Sequence, residues 1–190
     1  MFFPIASPVR RQAKSAHELA MVNLILVNLL MLIALLAGSF LQHGSPLVDY
    51  KLVGVLVPFF VSLAIIAFTF YQAARLAGGG PWFVAAHWRL ATNRYKILLI
   101  AYAVGAGLIA TGWLLSTAQK SAGMQALMFV ALQRVAIAPV LIALMVLIML
   151  ESGALYQAGR GEVPDSLLTR FPPPADLRGG EAEFVSESQS

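Results

Sequence analysis

The residues with chemistry in them are few. Three histidines (His17, His43, His87) and three carboxylates before position 159 (Glu18, Asp49, Glu151) are set in a chain that is 59% hydrophobic and has no cysteine. The missing thiols exclude disulfides, thiolate metal sites and cysteine nucleophiles together. Two imidazoles can ligate a b-type haem when both lie within a helical bundle, but here each histidine falls at the edge of an apolar run. His17, Glu18, His87 and Glu151 fall at matching ends of their runs, so a metal or proton-handling site of two imidazoles and two carboxylates is geometrically conceivable. The spacing does not favour it. A zinc-peptidase helix reads H-E-x-x-H, whereas His17-Glu18 is followed by Leu19, Ala20 and Met21. Glu18 and Glu151 are expected to pair with loop cations, and His17 and His87 to meet headgroups or water. There is no G-x-S-x-G elbow, and the Gly78–Gly80 run lacks the Lys-Ser/Thr of a phosphate-binding loop. Neither a cofactor nor a bound metal is expected.

The elements that carry these residues are apolar runs long enough to cross a bilayer. Mean hydropathy is +0.77 and charged residues make up 12% of the chain, against about a quarter in soluble domains. Four spans are expected, at 19–41, 52–76, 97–118 and 126–150. The first, 23 residues long, reaches roughly 34 Å at the helical rise, against a hydrocarbon core of about 30 Å. It is also too long for the apolar core of a cleavable signal. Gly44, Ser45 and Pro46 mark a short first loop, and Gly78–Gly80 end the second span. Pro81 then suits the first turn of a new helix, so a short interfacial helix is expected over 81–95. Its proposed membrane anchors, together with the flanking cations, are Arg75, Trp82, Trp88, Arg89, Arg94, Tyr95 and Lys96. The expected fold is thus an all-α integral membrane protein: an up-down bundle of four helices over residues 1–158, with that interfacial helix between the second and third. Residues 159–190 are Pro-rich and acidic, and a flexible cytoplasmic tail is expected there.

Loop charge orients the bundle. The segment before the first span holds Arg10, Arg11 and Lys14, and the second loop holds Arg75, Arg89, Arg94 and Lys96. The first and third loops hold one cation each, Lys51 and Lys120. Short cationic loops stay on the cytoplasmic side, which places both termini there, in a plasma or cell inner membrane. Residues 1–158 carry ten cations against three acids, a net +7, while the tail is −3. This balance suits anionic headgroups, and no clustered motif for nucleic acid accompanies it.

Polar residues inside the spans complete the picture. Asn28 lies roughly 14 Å into the first span and is expected to hydrogen-bond a neighbouring helix. Asn23, five residues earlier, is rotated from it by about 140° on an α-helix, so the two are not expected to share a face. Arg134 is the one cation well inside an expected span, Arg75 falling at the end of the second. It is expected to pair with Asp49, with Gln133 nearby, or else to snorkel to the interface. No carboxylate falls mid-span, which argues against proton-coupled antiport. Small residues at Ala101, Gly105 and Gly112 suit close packing within the chain. The expected function is that of a non-enzymatic accessory, assembly or scaffold subunit of a larger membrane complex, with other membrane subunits as partners. A small oligomeric channel or transporter is the alternative, and a haem-bearing electron carrier is third.

Overall fold

A computed structural model describes residues 1–38, 51–175 and 177, with the side chains at 37, 38, 51 and 52 excepted. The described chain is helical. α1 (Ser7–Val22) runs into a π-helical stretch (Asn23–Leu29) and on into α2 (Leu30–Gly38). α3 (Lys51–Ala77), α4 (Trp82–Thr117), α5 (Ala122–Arg160) and the short α6 (Asp165–Leu168) follow. Four helical stretches are long and apolar enough to cross a membrane: Ser7–Leu36, Val53–Ala77, Trp82–Thr117 and Ala122–Arg160. These are the features of a multi-pass membrane protein.

Two of these helices are longer than the apolar runs implied. α4 has 36 residues and α5 has 39, or roughly 54 and 58 Å at the helical rise, so each exceeds a hydrocarbon core of about 30 Å. The separate interfacial helix expected over 81–95 is instead the first part of α4. Nothing between Tyr95 and Ile97 breaks a helix: no glycine or proline occurs from Trp82 to Val104, so the backbone has no reason to turn. The break lies earlier, at Gly78–Gly80. Gly78 N–H donates to Arg75 O (3.2 Å) and Gly80 N–H to Leu76 O (3.0 Å). A Cβ on Gly80 would come within 2.6 Å of Leu76 Cδ2 and 3.2 Å of Leu76 O, so a larger residue at this close turn would require Leu76 to shift.

The described chain forms two compact units. The first comprises Met1–Met21, Ile65–Asn93 and Met149–Ser190; the second comprises Val22–Ala64 and Arg94–Ile148. In the first unit α5 ends on a glycine cap. Gly161, with φ of 82°, takes the left-handed conformation, Glu162 N–H returns to Gln157 O (2.9 Å) and Gly161 N–H to Ala158 O (3.4 Å), the bond pair of a Schellman motif. The chain beyond this cap is part of the core. Phe3 N–H donates to Gly161 O and Val163 N–H to Met1 O, both 2.9 Å, and Val163 and Leu167 are buried beside Phe3, Phe83 and Trp88. The expectation of a flexible tail from 159 onward is therefore corrected as far as Phe171, whose ring stacks on Trp82 at 6.0 Å. Composition understated Val163, Leu167 and Phe171 because a few apolar side chains that pack on the core gain from burial whatever the polarity of the residues between them. Residues 178–190 lie outside the described residues.

The second unit is built on close helix contact. A Cβ on Gly105 would meet Val140 Cγ2 at 3.2 Å, and one on Gly112 would meet Leu132 Cβ at 2.9 Å. Both glycines of the stripe read from sequence thus let α4 approach α5 within the chain.

Candidate functional site

The first unit gathers the ionisable residues into a line of hydrogen bonds. His17 projects from α1, His87 from α4 and Glu151 from α5, and all three are buried, at 0, 1 and 1% exposure. His17 Nδ1 lies 2.5 Å from Glu151 Oε2, and His17 Nε2 lies 2.9 Å from His87 Nδ1. His87 Nε2 lies 3.1 Å from the backbone carbonyl of Glu162. The Phe83 ring packs on His87 with centroids 4.7 Å apart, and the two imidazoles meet edge to face.

The far end of the line determines the protons. A carbonyl only accepts, so His87 Nε2 must carry hydrogen and donate. One proton is then needed between His87 and His17, and another between His17 and Glu151. Three protons distributed over a carboxylate and two imidazoles leave the three side chains with no net charge, whether as neutral groups or as a carboxylate–imidazolium pair. Such a balance suits their burial, because an uncompensated charge sealed from water costs several kcal/mol. The line is therefore satisfied at both levels. It can hold protons and shift them along its axis, and it ties α1, α4 and α5 to the segment that follows α5.

This arrangement corrects several sequence expectations. His17 and His87 are sealed inside the protein, where they were expected at headgroups or water. Glu151 was expected at the end of a span; α5 continues nine residues past it, and its Oε2 is held by His17. Glu18 is exposed and stands outside the line. Among the described residues no group of three or more metal-ligand side chains is placed to hold a metal ion. The direct contact between His17 and His87 also leaves no space for a macrocycle between their ring nitrogens. His43 lies outside the described residues.

The expected anchors divide. Arg75 and Lys96 are exposed, and the Arg89 guanidinium lies 4.0 Å over the Phe171 ring, while Arg94 is half-buried. Trp88 and Tyr95, expected at headgroup depth, are buried at 6% and 2%, and Phe83, Val84, Ala85, Ala86 and His87 before Trp88 are buried with it. An interfacial helix keeps one face for water. This stretch is enclosed, as Phe3, Ala13, Ala16, Ala73, Ala158 and Leu167 share its core. Trp82 is half-buried and touches Phe3.

A second polar set occupies the second unit. Asn28 Nδ2 donates to Ser62 Oγ (3.0 Å), to Asn23 Oδ1 (3.1 Å) and to Asn23 O (2.9 Å), and Tyr102 hydroxyl bonds both Ser62 Oγ and Asn28 Oδ1. Asn23 Nδ2 donates to Tyr95 hydroxyl at 3.2 Å. Asn28 thus bonds α3 and α4. Its union with Asn23 departs from the expected 140° separation, because residues 23–29 are π-helical and an i→i+5 pattern brings residues five apart together. Sequence reasoning missed Ser62, Tyr95 and Tyr102 as partners; the available signal was hydroxyl groups within apolar runs. Gln133 is half-buried and Arg134 exposed on α5. Asp49, the partner expected for Arg134, lies outside the described residues. Comparison with known proteins returned no matching family model, no similar curated protein and no similar solved structure.

Proposed function

We propose that this chain is a non-catalytic accessory, assembly or scaffold subunit of a larger membrane complex, resident in a cell inner membrane with both termini on the cytoplasmic side. The observation that carries the reading is the sealing of Glu151, His17 and His87, each at 1% exposure or less. A catalytic carboxylate or imidazole has to reach a substrate. His17 instead bonds Glu151 and His87, and His87 the backbone carbonyl of Glu162, as a clamp between helices does. Other membrane subunits and anionic headgroups are the proposed partners. The orientation draws support from the first unit, which contains the N-terminal segment, the Gly78–Gly80 turn and the chain after α5. These are the segments that positive-inside counting assigns to one side.

Affinity purification in mild detergent followed by mass spectrometry tests the assembly role. Stoichiometric companions are expected, and a chain that purifies alone overturns it. For orientation, alkaline phosphatase fused after Lys120 should be active and after Gly79 inactive; activity at Gly79 reverses the topology. A second reading, a small oligomeric channel or transporter, draws on the buried Asn28–Ser62–Tyr102 set. Solute flux in proteoliposomes that Asn28→Leu abolishes would favour it.

A further inference from the structure

A cleft of about 430 Å³ opens in the first unit among α1, the end of α3, the glycine turn and the start of α4. Its size is that of a small-molecule site. Gln12 and Ser15 line it from α1, Gln72 and Arg75 from α3, Gly79 from the turn and Trp88 from α4. Three observations indicate its ligand. The first is charge: among the described residues Arg75 is the one charged lining residue and no carboxylate lines the cleft, so the cleft suits an anion, and a guanidinium suits a phosphate best. The second is Gln72, whose carboxamide oxygen is buried and has no hydrogen-bond partner among the described residues. A buried acceptor in that condition is costly and calls for a donor. With no carboxylate to balance an ammonium, a neutral hydroxyl donor fits better. The third is position: Gln72 and Arg75 fall in the last turns of the apolar helix Val53–Ala77, just beyond the exposed aromatics Phe68 and Tyr71, where a spanning helix meets headgroups.

We infer that this cleft binds the headgroup of an anionic phospholipid whose phosphodiester sits on Arg75 and whose headgroup hydroxyls reach Gln72, as a phosphatidylglycerol-type lipid would. The inference rests on the membrane reading above and not on the assembly role, so lone purification of the chain leaves it standing. Gly79 supplies a blocking variant: it lines the cleft, a Cβ there meets nothing within 4 Å and its φ is not positive, so a larger side chain is accommodated at the cleft without straining the fold. The experiment is native mass spectrometry of the delipidated full chain in detergent, titrated separately with phosphatidylglycerol, phosphatidylethanolamine, phosphatidylcholine and inorganic phosphate. Phosphatidylglycerol should be retained in preference to the other two lipids. Arg75→Gln should weaken its retention roughly tenfold, the loss of one charge-assisted contact, and Gln72→Leu should narrow the preference over phosphatidylethanolamine. Gly79→Leu should block binding, while Gly123→Leu, also open at its Cβ but not among the residues that line the cleft, should not. A thermal melt alongside each variant separates lost binding from lost folding. Equal retention of all three lipids, or unchanged retention in well-folded Arg75→Gln and Gly79→Leu, overturns the proposal. Inorganic phosphate that binds alone and displaces the lipid would assign the cleft to free phosphate and overturn the lipid assignment.

Discussion

The two units bury different kinds of polarity. Among the described residues, the buried polar side chains of the first unit include a carboxylate and two imidazoles, Glu151, His17 and His87; those of the second include the neutral Asn23, Asn28, Ser62 and Ser116. Their surfaces differ in the same sense. Leu26, Phe60, Ile100, Leu127 and Ile142 of the second unit are each more than half exposed, as helices facing lipid or a neighbouring subunit require. The first unit carries Arg10, Arg11, Lys14, Glu18, Arg75 and Arg89 in sequence reach of its core. The difference follows from the cost of a stranded charge. Amides and hydroxyls that lose a partner in an apolar medium forfeit about 1 kcal/mol or a little more, whereas an uncompensated buried ion forfeits several. Among the described residues, the buried carboxylate and imidazoles, Glu151, His17 and His87, accordingly lie together in the first unit, where they bond one another.

Breaking the line in the first unit should have the largest effect. Glu151→Leu takes one partner from His17, and His17→Leu takes one from each of Glu151 and His87; a loss of about 3–5 kcal/mol is expected for either in thermal or denaturant unfolding in detergent. The double variant should lose less than the sum of the two, and strict additivity would show that the residues act independently. Next comes the segment after α5: Leu167→Ala should cost about 2–4 kcal/mol by cavity formation, and a loss below about 0.5 kcal/mol would mean that Val163 and Leu167 do not belong to the core. In the second unit, Tyr102→Phe should cost only about 0.6–1.7 kcal/mol, the range for hydrogen bonds between membrane helices. A loss as large as that of Glu151→Leu would erase the contrast between the units. The smallest effect belongs to two glycines of α4. Gly107→Ala, with open space at its Cβ, should stabilise by up to about 1 kcal/mol through helix propensity. Gly112→Ala, 2.9 Å from Leu132 Cβ, should forfeit that gain, and equal melting temperatures for the two would dissolve the proposed close contact with α5.

Some of this was legible in the residues. Apolar runs of more than 20 residues can only be long helices in a chain so poor in charge, so the number of candidate spans followed from length and hydropathy. The glycine turn at 78–80 and the close packing at Gly105 and Gly112 were also readable, since glycine reports backbone constraints directly. The helix ends were harder. α4 and α5 extend past their apolar runs because hydropathy marks where lipid can lie, whereas helix continuation depends only on the absence of breakers and on the packing of the extension. The same gap hid the core role of Trp88 and Tyr95, which composition alone cannot distinguish from interfacial aromatics.

By itself the sequence determined what is local or additive: helical class, the four apolar stretches, the side that loop cations favour, and the need of Asn28 for a partner on another helix. Tertiary structure alone decided which distant residues meet. Glu151 is 134 positions from His17, and His87 is 70; no periodicity encodes such separations without an alignment. Nor does the sequence announce the π-helical stretch that unites Asn23 with Asn28, since an extra residue in a turn is stabilised by its surroundings. The choice between a solvated histidine and a sealed one rests on what surrounds it, because burial and complete hydrogen bonding are properties of the packed helices and not of the residue.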